Sequence, residues 1–154
     1  MFLCLAFFNL SNSDLTMKRD SLQTACQYSH QIIHESAKHN ISPFIFASLI
    51  WVESRFDKSA VSPKKACGLT QILTKYSDYS CQDLKDPLVS IKEGAEVLSY
   101  WQGYSKSIEK ALQCYNSGYH CSSQNYSRLI IEKAKTLKLE YAKVYREHME
   151  NINE

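Results

Sequence analysis

The chain has 154 residues, 44% of them hydrophobic and 22% charged, with a net charge of +2. That length buries a real core within one domain, and the composition is that of a soluble globular protein rather than a disordered or fibrous one. A charge so near neutrality gives no footprint for nucleic acid, and four Gly with three Pro leave little material for a turn-rich β fold.

Phe2-Leu3-Cys4-Leu5-Ala6-Phe7-Phe8 is a compact apolar run, after which Asn9 to Asp14 turns polar. The run is too short to span a bilayer. It reads either as a short export signal lacking a basic n-region or as an apolar arm packed on the domain. Residues 1–18 are therefore set apart from a domain over 19–150. A first helix is expected over 20–39, capped by Asp20 or Ser21, with Leu22, Cys26, Ile32, Ile33 and Ala37 as its apolar positions. His30 and His34 share a helix face, but no third ligand is spaced to join them. They are expected to be surface or hydrogen-bonded histidines rather than a metal site.

Ser42 suits an N-cap and Pro43 a first helical residue. The helix that follows, 43–55, carries bulky apolar residues on nearly every side, which predicts burial. It ends by delivering Glu53. A carboxylate on a buried helix is partly desolvated, which disfavours its charged form and raises its pKa. That is the state a general acid needs near neutral pH. On helix position alone, a Glu emerging into solvent is the plainer reading.

Residues 57–67 are irregular, and Gly68 opens a short helical turn to about Leu73. Asp86-Pro87 starts a helix to about Tyr104, with Leu88, Ile91, Ala95 and Leu98 on its buried face. Ser107 caps the next helix, through Ile108, Ala111, Leu112 and Tyr115. A loop over 116–123 precedes an amphipathic helix over about 125–149. Its Arg128, Lys133, Lys135, Lys138, Lys143 and Arg146 interleave with Glu132, Glu140 and Glu147, the pattern of a solvated face. No alternating strand is visible, so the fold class is all-α.

The six cysteines show no C-x-x-C pair, which argues against zinc. Cys67 and Cys81 bracket one short irregular segment and Cys114 and Cys121 another. This predicts two local disulfides and an oxidising compartment, with six reduced thiols as the alternative. Cys4 and Cys26 have no assigned partners. The cysteines tip the N-terminal run toward the export signal.

Three polar interruptions stand out in otherwise helical apolar text: Glu53-Ser54-Arg55-Phe56, Gly68-Leu69-Thr70-Gln71-Ile72 and Tyr115-Asn116-Ser117-Gly118. In this order and at these separations they resemble the soluble lytic transglycosylase family, whose lysozyme-like fold is related to goose-type lysozymes. The family pattern is a catalytic Glu followed by Ser, then Ser-Pro-x-x-Ala-x-Gly-Leu-Met-Gln-Ile, then Tyr-Asn-Ala-Gly. Here Ser62-Pro63, Ala66, Gly68-Leu69-Thr70-Gln71-Ile72, Asp86-Pro87, Ile91 and Gly94 fall where the family places their counterparts. The resemblance covers about residues 42–119. Thr70 replaces the usual Met, Lys65 a common Gly, and Ser117 the usual Ala.

The resemblance implies a lysozyme-like helical domain whose central buried helix ends at a catalytic Glu53. It implies cleavage of the β-1,4 bond between N-acetylmuramic acid and N-acetylglucosamine in peptidoglycan, with a 1,6-anhydro ring formed on the muramoyl residue. Tyr115 is expected to hydrogen-bond and orient Glu53. Gln71 and Ser62 are expected on the sugar acetamido groups, although Gln71 could instead tie the turn together. Ser54, Asn116 and Tyr119 complete the expected site, with Ser54 mainly supporting the helix end and Asn116 fixing the Tyr115 loop. Phe56, Tyr119 and Trp51 are candidates for the groove wall, with core packing the better reading of Trp51. No cofactor or metal is implied. The expected partner is the peptidoglycan glycan strand, met by a monomer in the periplasm or cell envelope, or by one carried in a secretion apparatus or phage particle.

Two other readings follow from the same residues. A goose-type muramidase would use water, positioned by an Asp between the catalytic Glu and the Gly-Leu-x-Gln turn; the only acid there is Asp57. A non-catalytic wall-binding component would keep the fold without the chemistry.

Overall fold

A computed structural model describes residues 2–13 and 18–152. In chain order its helices are α1 Phe2–Ser13, α2 Arg19–Gln27, α3 Ser29–Lys38, α4 Pro43–Ser54, α5 Cys81–Leu84, α6 Pro87–Ser105, α7 Ile108–Ser117 and α8 Gln124–Ile152. Between α4 and α5 lies a small antiparallel hairpin, β1 Ala66–Cys67 and β2 Ile72–Leu73, in the register Ala66 to Leu73 and Cys67 to Ile72. The fold is all-α apart from this hairpin.

α4 is the central element. Phe46, Ala47, Ser48, Leu49 and Ile50 are buried along it, because it packs between α3 on one side and α8 on another. Ser42 occupies its N-cap, but the cap is made by the backbone, without a side-chain hydrogen bond. Asp86 and Ser107 do cap α6 and α7 with their side chains, and α6 and α7 pair as a helical hairpin, α6 against α3 and α7 against α8. Their caps satisfy amides that the first helical turn leaves without partners.

Three expectations are corrected. The first helix is broken at Tyr28 (φ −103°, ψ 9°) into α2 and α3. There the Ser29 hydroxyl donates to the Cys26 carbonyl at 2.9 Å, a local bond that competes with the helical ladder and bends it. The segment from Gly68 to Leu73 is a hairpin turn, not a helical one. Gly68 (φ +76°) and Gln71 (φ +52°) are both left-handed, which ends any right-handed helix. The hairpin itself contains the strands that were not visible, since two-residue strands carry no alternation.

All six cysteines are paired, as Cys4–Cys26, Cys67–Cys81 and Cys114–Cys121. The two local disulfides are those expected, and the remaining bridge joins the two cysteines without an assigned partner. It ties α1 to α2, and α1 buries Leu3, Ala6 and Phe7 against the body, packing on α8 and α2. No helix among the described residues is long and apolar enough to cross a membrane.

Candidate active site

α4 brings Glu53 to its last turn, then stops abruptly. Arg55 and Phe56 take consecutive left-handed conformations (φ +53° and +59°), which no helix can continue. Phe56 is buried, not on a groove wall: it is 1% exposed and meets Phe7 edge-to-face at 5.1 Å. Its burial anchors the sharp turn that leaves Glu53 at the helix end. Trp51 packs on the opposite side of α4, under the Lys133 ammonium, 3.6 Å from its ring centroid.

Burial pushes the Glu53 carboxyl up to about 7, against the opposing effect of a hydrogen bond from Tyr126. The negative end of the α4 dipole acts in the same direction as burial, since it disfavours an anion in the last turn. The Tyr126 hydroxyl donates to Glu53 Oε1. Burial, reinforced by the charge of Glu53, holds the Tyr126 phenol well above the ordinary tyrosine range, so it remains a proton donor to the carboxylate.

The expected Tyr115–Glu53 hydrogen bond is replaced by a different one. Tyr115 donates to the backbone carbonyl of Thr70 at 2.8 Å. It still lies within electrostatic reach of Glu53, which together with burial raises its own pKa. Tyr115 therefore locks the Gly68–Gln71 turn, and Tyr126 takes the contact with the acid. Tyr126 lies outside the segment that carries the resemblance, at the head of α8. Its one signal is position: it leads the stripe continued by the buried Ile130, Ala134 and Leu137, with a polar tip where the rest is aliphatic.

The Gly68–Gln71 turn is pinned from several sides. A Cβ on Gly68 would lie 1.8 Å from the Leu84 carbonyl oxygen, and its φ is positive, so only glycine fits. The Ser54 hydroxyl donates to the Leu69 carbonyl at 2.8 Å and to Ile50 at 3.1 Å, which ties the turn to the end of α4. Gln71 spends its amide nitrogen on the carbonyls of Gly68 (2.9 Å) and Ala60 (3.1 Å), the turn-tying alternative. The Ser62 hydroxyl accepts from the Ala66 amide at 3.0 Å.

The three departures from the family pattern each have a local account. Thr70 is buried, and its hydroxyl donates to the Ser90 carbonyl at 2.8 Å while its amide donates to Ser90 Oγ at 3.1 Å. Gly94 makes room for it, since a Cβ there would come within 2.4 Å of the Thr70 side chain. The Ser117 hydroxyl donates to the Gln113 carbonyl at 2.7 Å and accepts from the Ser122 amide at 2.9 Å, closing the loop bridged by Cys114–Cys121. Lys65 keeps the left-handed backbone suited to glycine (φ +63°).

Asn116 donates to Ser123 Oγ at 2.6 Å, so it fixes its loop to the start of α8 rather than to α4. Together with Ser122, Ser123, Gln124, Asn125 and Tyr126 it lines an open pocket of about 490 Å³. Through Tyr126 this pocket adjoins the buried acid. Tyr119 is not among its lining residues; it is 67% exposed, with its hydroxyl 2.7 Å from that of Tyr100.

Two other carboxylates bear on the site. Asp57 accepts from the Ser59 hydroxyl at 2.6 Å and the Ser59 amide at 2.9 Å, and these bonds hold its pKa below the usual carboxylate value. It closes a surface turn. Glu93 on α6 accepts from the Ser77 hydroxyl at 2.8 Å and is close enough to Tyr115 to raise its pKa slightly. Among the described residues no group of His, Cys, Asp and Glu could hold a metal ion.

A helical body around one buried helix, ending in a desolvated acid clamped by a tyrosine, defines a lysozyme-like domain. The family model for the transglycosylase SLT domain matches residues 30–136, and the chain belongs to that family. The match spans the end of α4, the hairpin turn, α7 and the Tyr126 end of α8, all the parts of the site just described.

Proposed function

We propose that the protein is a lytic transglycosylase that cleaves the bond between N-acetylmuramic acid and N-acetylglucosamine, with Glu53 serving first as acid and then as base. The observation that carries this reading is the burial of Glu53, which places its pKa at about 7 and leaves a large fraction of it protonated near neutrality.

Glu53 gives its proton to the glycosidic oxygen as the bond from that oxygen to the anomeric carbon breaks. The muramoyl C6 oxygen attacks the anomeric carbon and closes the 1,6-anhydro ring. The Glu53 carboxylate takes the C6 hydroxyl proton, which restores the acid without consuming water. An intramolecular hydroxyl already near the reacting carbon replaces a positioned water at high effective concentration, so one carboxylate suffices where ordinary glycosidases use two. The Tyr126 hydroxyl stabilises the carboxylate form between the two proton transfers. Tyr115, Ser54 and Gln71 act by holding the Gly68–Gln71 turn against α4.

The sugars are proposed to enter through the pocket lined by Asn116, Ser123, Gln124 and Asn125, whose amide and hydroxyl groups match acetamido and hydroxyl partners. Ser62 and Gln71 are proposed to meet acetamido groups from the side of the hairpin, Gln71 through its Oε1. Three disulfides support work in an oxidising compartment, which is also where peptidoglycan lies.

Hydrolysis is the second reading, and Glu93 is the group that favours it, being a further carboxylate near Tyr115. Product analysis decides between them. Anhydro ends support the transglycosylase, and reducing ends alone would establish the muramidase.

A further inference from the structure

A group of aromatic side chains lies outside the residues assigned so far, Tyr119 excepted. Tyr100, Trp101 and Tyr104 stand on the last turns of α6, and Tyr119 reaches them from the 3₁₀ turn Gly118–His120. Trp101 is the hub. The rings of Tyr100, Tyr119 and Tyr104 meet it edge-to-face with centroids at 5.0, 5.1 and 5.7 Å. Tyr104 and Tyr119 also touch at 5.5 Å, and the Tyr100 and Tyr119 hydroxyls share a hydrogen bond.

These rings hold one another in place and yet remain open to solvent. Tyr100 and Tyr104 are 54% and 55% exposed. The fold does not need three tyrosines outside its core, and an exposed aromatic cluster of this kind marks a binding surface. Gly103 and Gly118 beside it add no side chains, and a Cβ on either would meet nothing within 4 Å.

The geometry selects the ligand. Rings in direct contact leave no space between them for an ammonium group, so this is a filled platform rather than a cation cage. A pyranose ring fits such a platform: its C–H face lies on an aromatic surface while its hydroxyls meet the tyrosine tips. The platform is joined to the pocket through one short segment. Tyr119 lies between Cys114 and Cys121 with Asn116, and Asn116 lines the pocket.

We propose that Tyr100, Trp101, Tyr104 and Tyr119 bind the peptidoglycan glycan strand at sugars remote from the bond being cleaved. This rests on the lytic transglycosylase reading and adds a second hold on the same polymer. A long strand engages both cleft and platform, whereas a disaccharide unit engages one of them, so strand length sets affinity.

The test uses the Glu53→Gln chain, which separates binding from turnover, titrated with long glycan strands freed of their stem peptides. Adding Tyr100→Ala and Tyr104→Ala should weaken binding about tenfold, while Tyr100→Phe with Tyr104→Phe should retain most of it. A second readout needs no alanine variant. With Trp51→Phe, Trp101 is the remaining tryptophan of the two in the chain, and its fluorescence should change on adding long strands. Unchanged affinity in the alanine variant, or Trp101 fluorescence indifferent to the strands, overturns the platform. If the chain with native Glu53 still releases anhydro products in that case, the cleavage reading stands without it.

Discussion

The Tyr126 hydroxyl reaches the Glu53 carboxylate across 73 residues of sequence, joining the head of α8 to the last turn of α4. Both residues are part-buried, and the contact works against the burial that raises Glu53. Burial makes the acid weak enough to carry a proton near neutrality, and the contact keeps it able to lose one. Removing it with Tyr126→Phe should lower kcat about ten- to a hundredfold, the range of a hydrogen bond to a charged group. It should also move the alkaline limb of the pH profile upward, because the carboxylate form loses its donor. Tyr115→Phe should behave differently. It orphans the Thr70 carbonyl, costs about 1–3 kcal/mol of stability, and leaves the position of that limb unchanged. Paired pH–rate profiles of the two variants check this.

Glu53 also links stability to pH. Its carboxyl is raised from 4.5 to about 7, so the folded state holds a proton that the unfolded chain has released. That contribution is complete below about pH 4.5 and is lost as pH rises through about 7. Glu53→Gln resembles the protonated acid and escapes the loss. Relative to wild type it should be more stable at pH 8 than at pH 5 by up to about 3 kcal/mol. Denaturant unfolding at the two pH values measures the difference.

Two backbone positions near the turn should respond with opposite signs. Gly68→Ala meets the Leu84 carbonyl oxygen at 1.8 Å in a left-handed conformation and should cost about 3 kcal/mol or more. Lys65→Gly relieves a left-handed lysine (φ +63°) and should stabilise by up to about 1 kcal/mol. Thermal unfolding of both variants gives the signs directly.

Two disulfides brace the surroundings of Glu53: Cys67–Cys81 holds the hairpin turn, and Cys114–Cys121 ties the last turn of α7, which carries Tyr115 and Asn116, to the segment after it. Cys114→Ser with Cys121→Ser should therefore raise KM and lower kcat while leaving most of the helical signal in circular dichroism. Wild-type rates and spectra after this pairwise removal show whether the loss is local.

The sequence made α4, α6, α7 and α8 legible because long apolar periodicities and the Pro43, Asp86 and Ser107 start signals agree there. It placed Glu53 on the buried helix for the same reason. The hairpin could not be read, since strands of two residues have no period and Gly68 fits a helical turn as well as a β turn. Tyr126 was missed because it reads as one more residue of an amphipathic helix in a chain with ten tyrosines. The partner of the Tyr115 hydroxyl is a backbone carbonyl, and nothing in a side-chain pattern encodes that. Tyr119 was noticed singly; that it joins three aromatics from α6 emerges only when α6 and α7 pair.

The most direct test of the central claim is mass analysis of muropeptides released from peptidoglycan by the wild-type chain beside Glu53→Gln. Wild type should release 1,6-anhydro-muramoyl ends, and the variant should release nothing. Reducing ends alone from wild type, or equal release by Glu53→Gln, would contradict it.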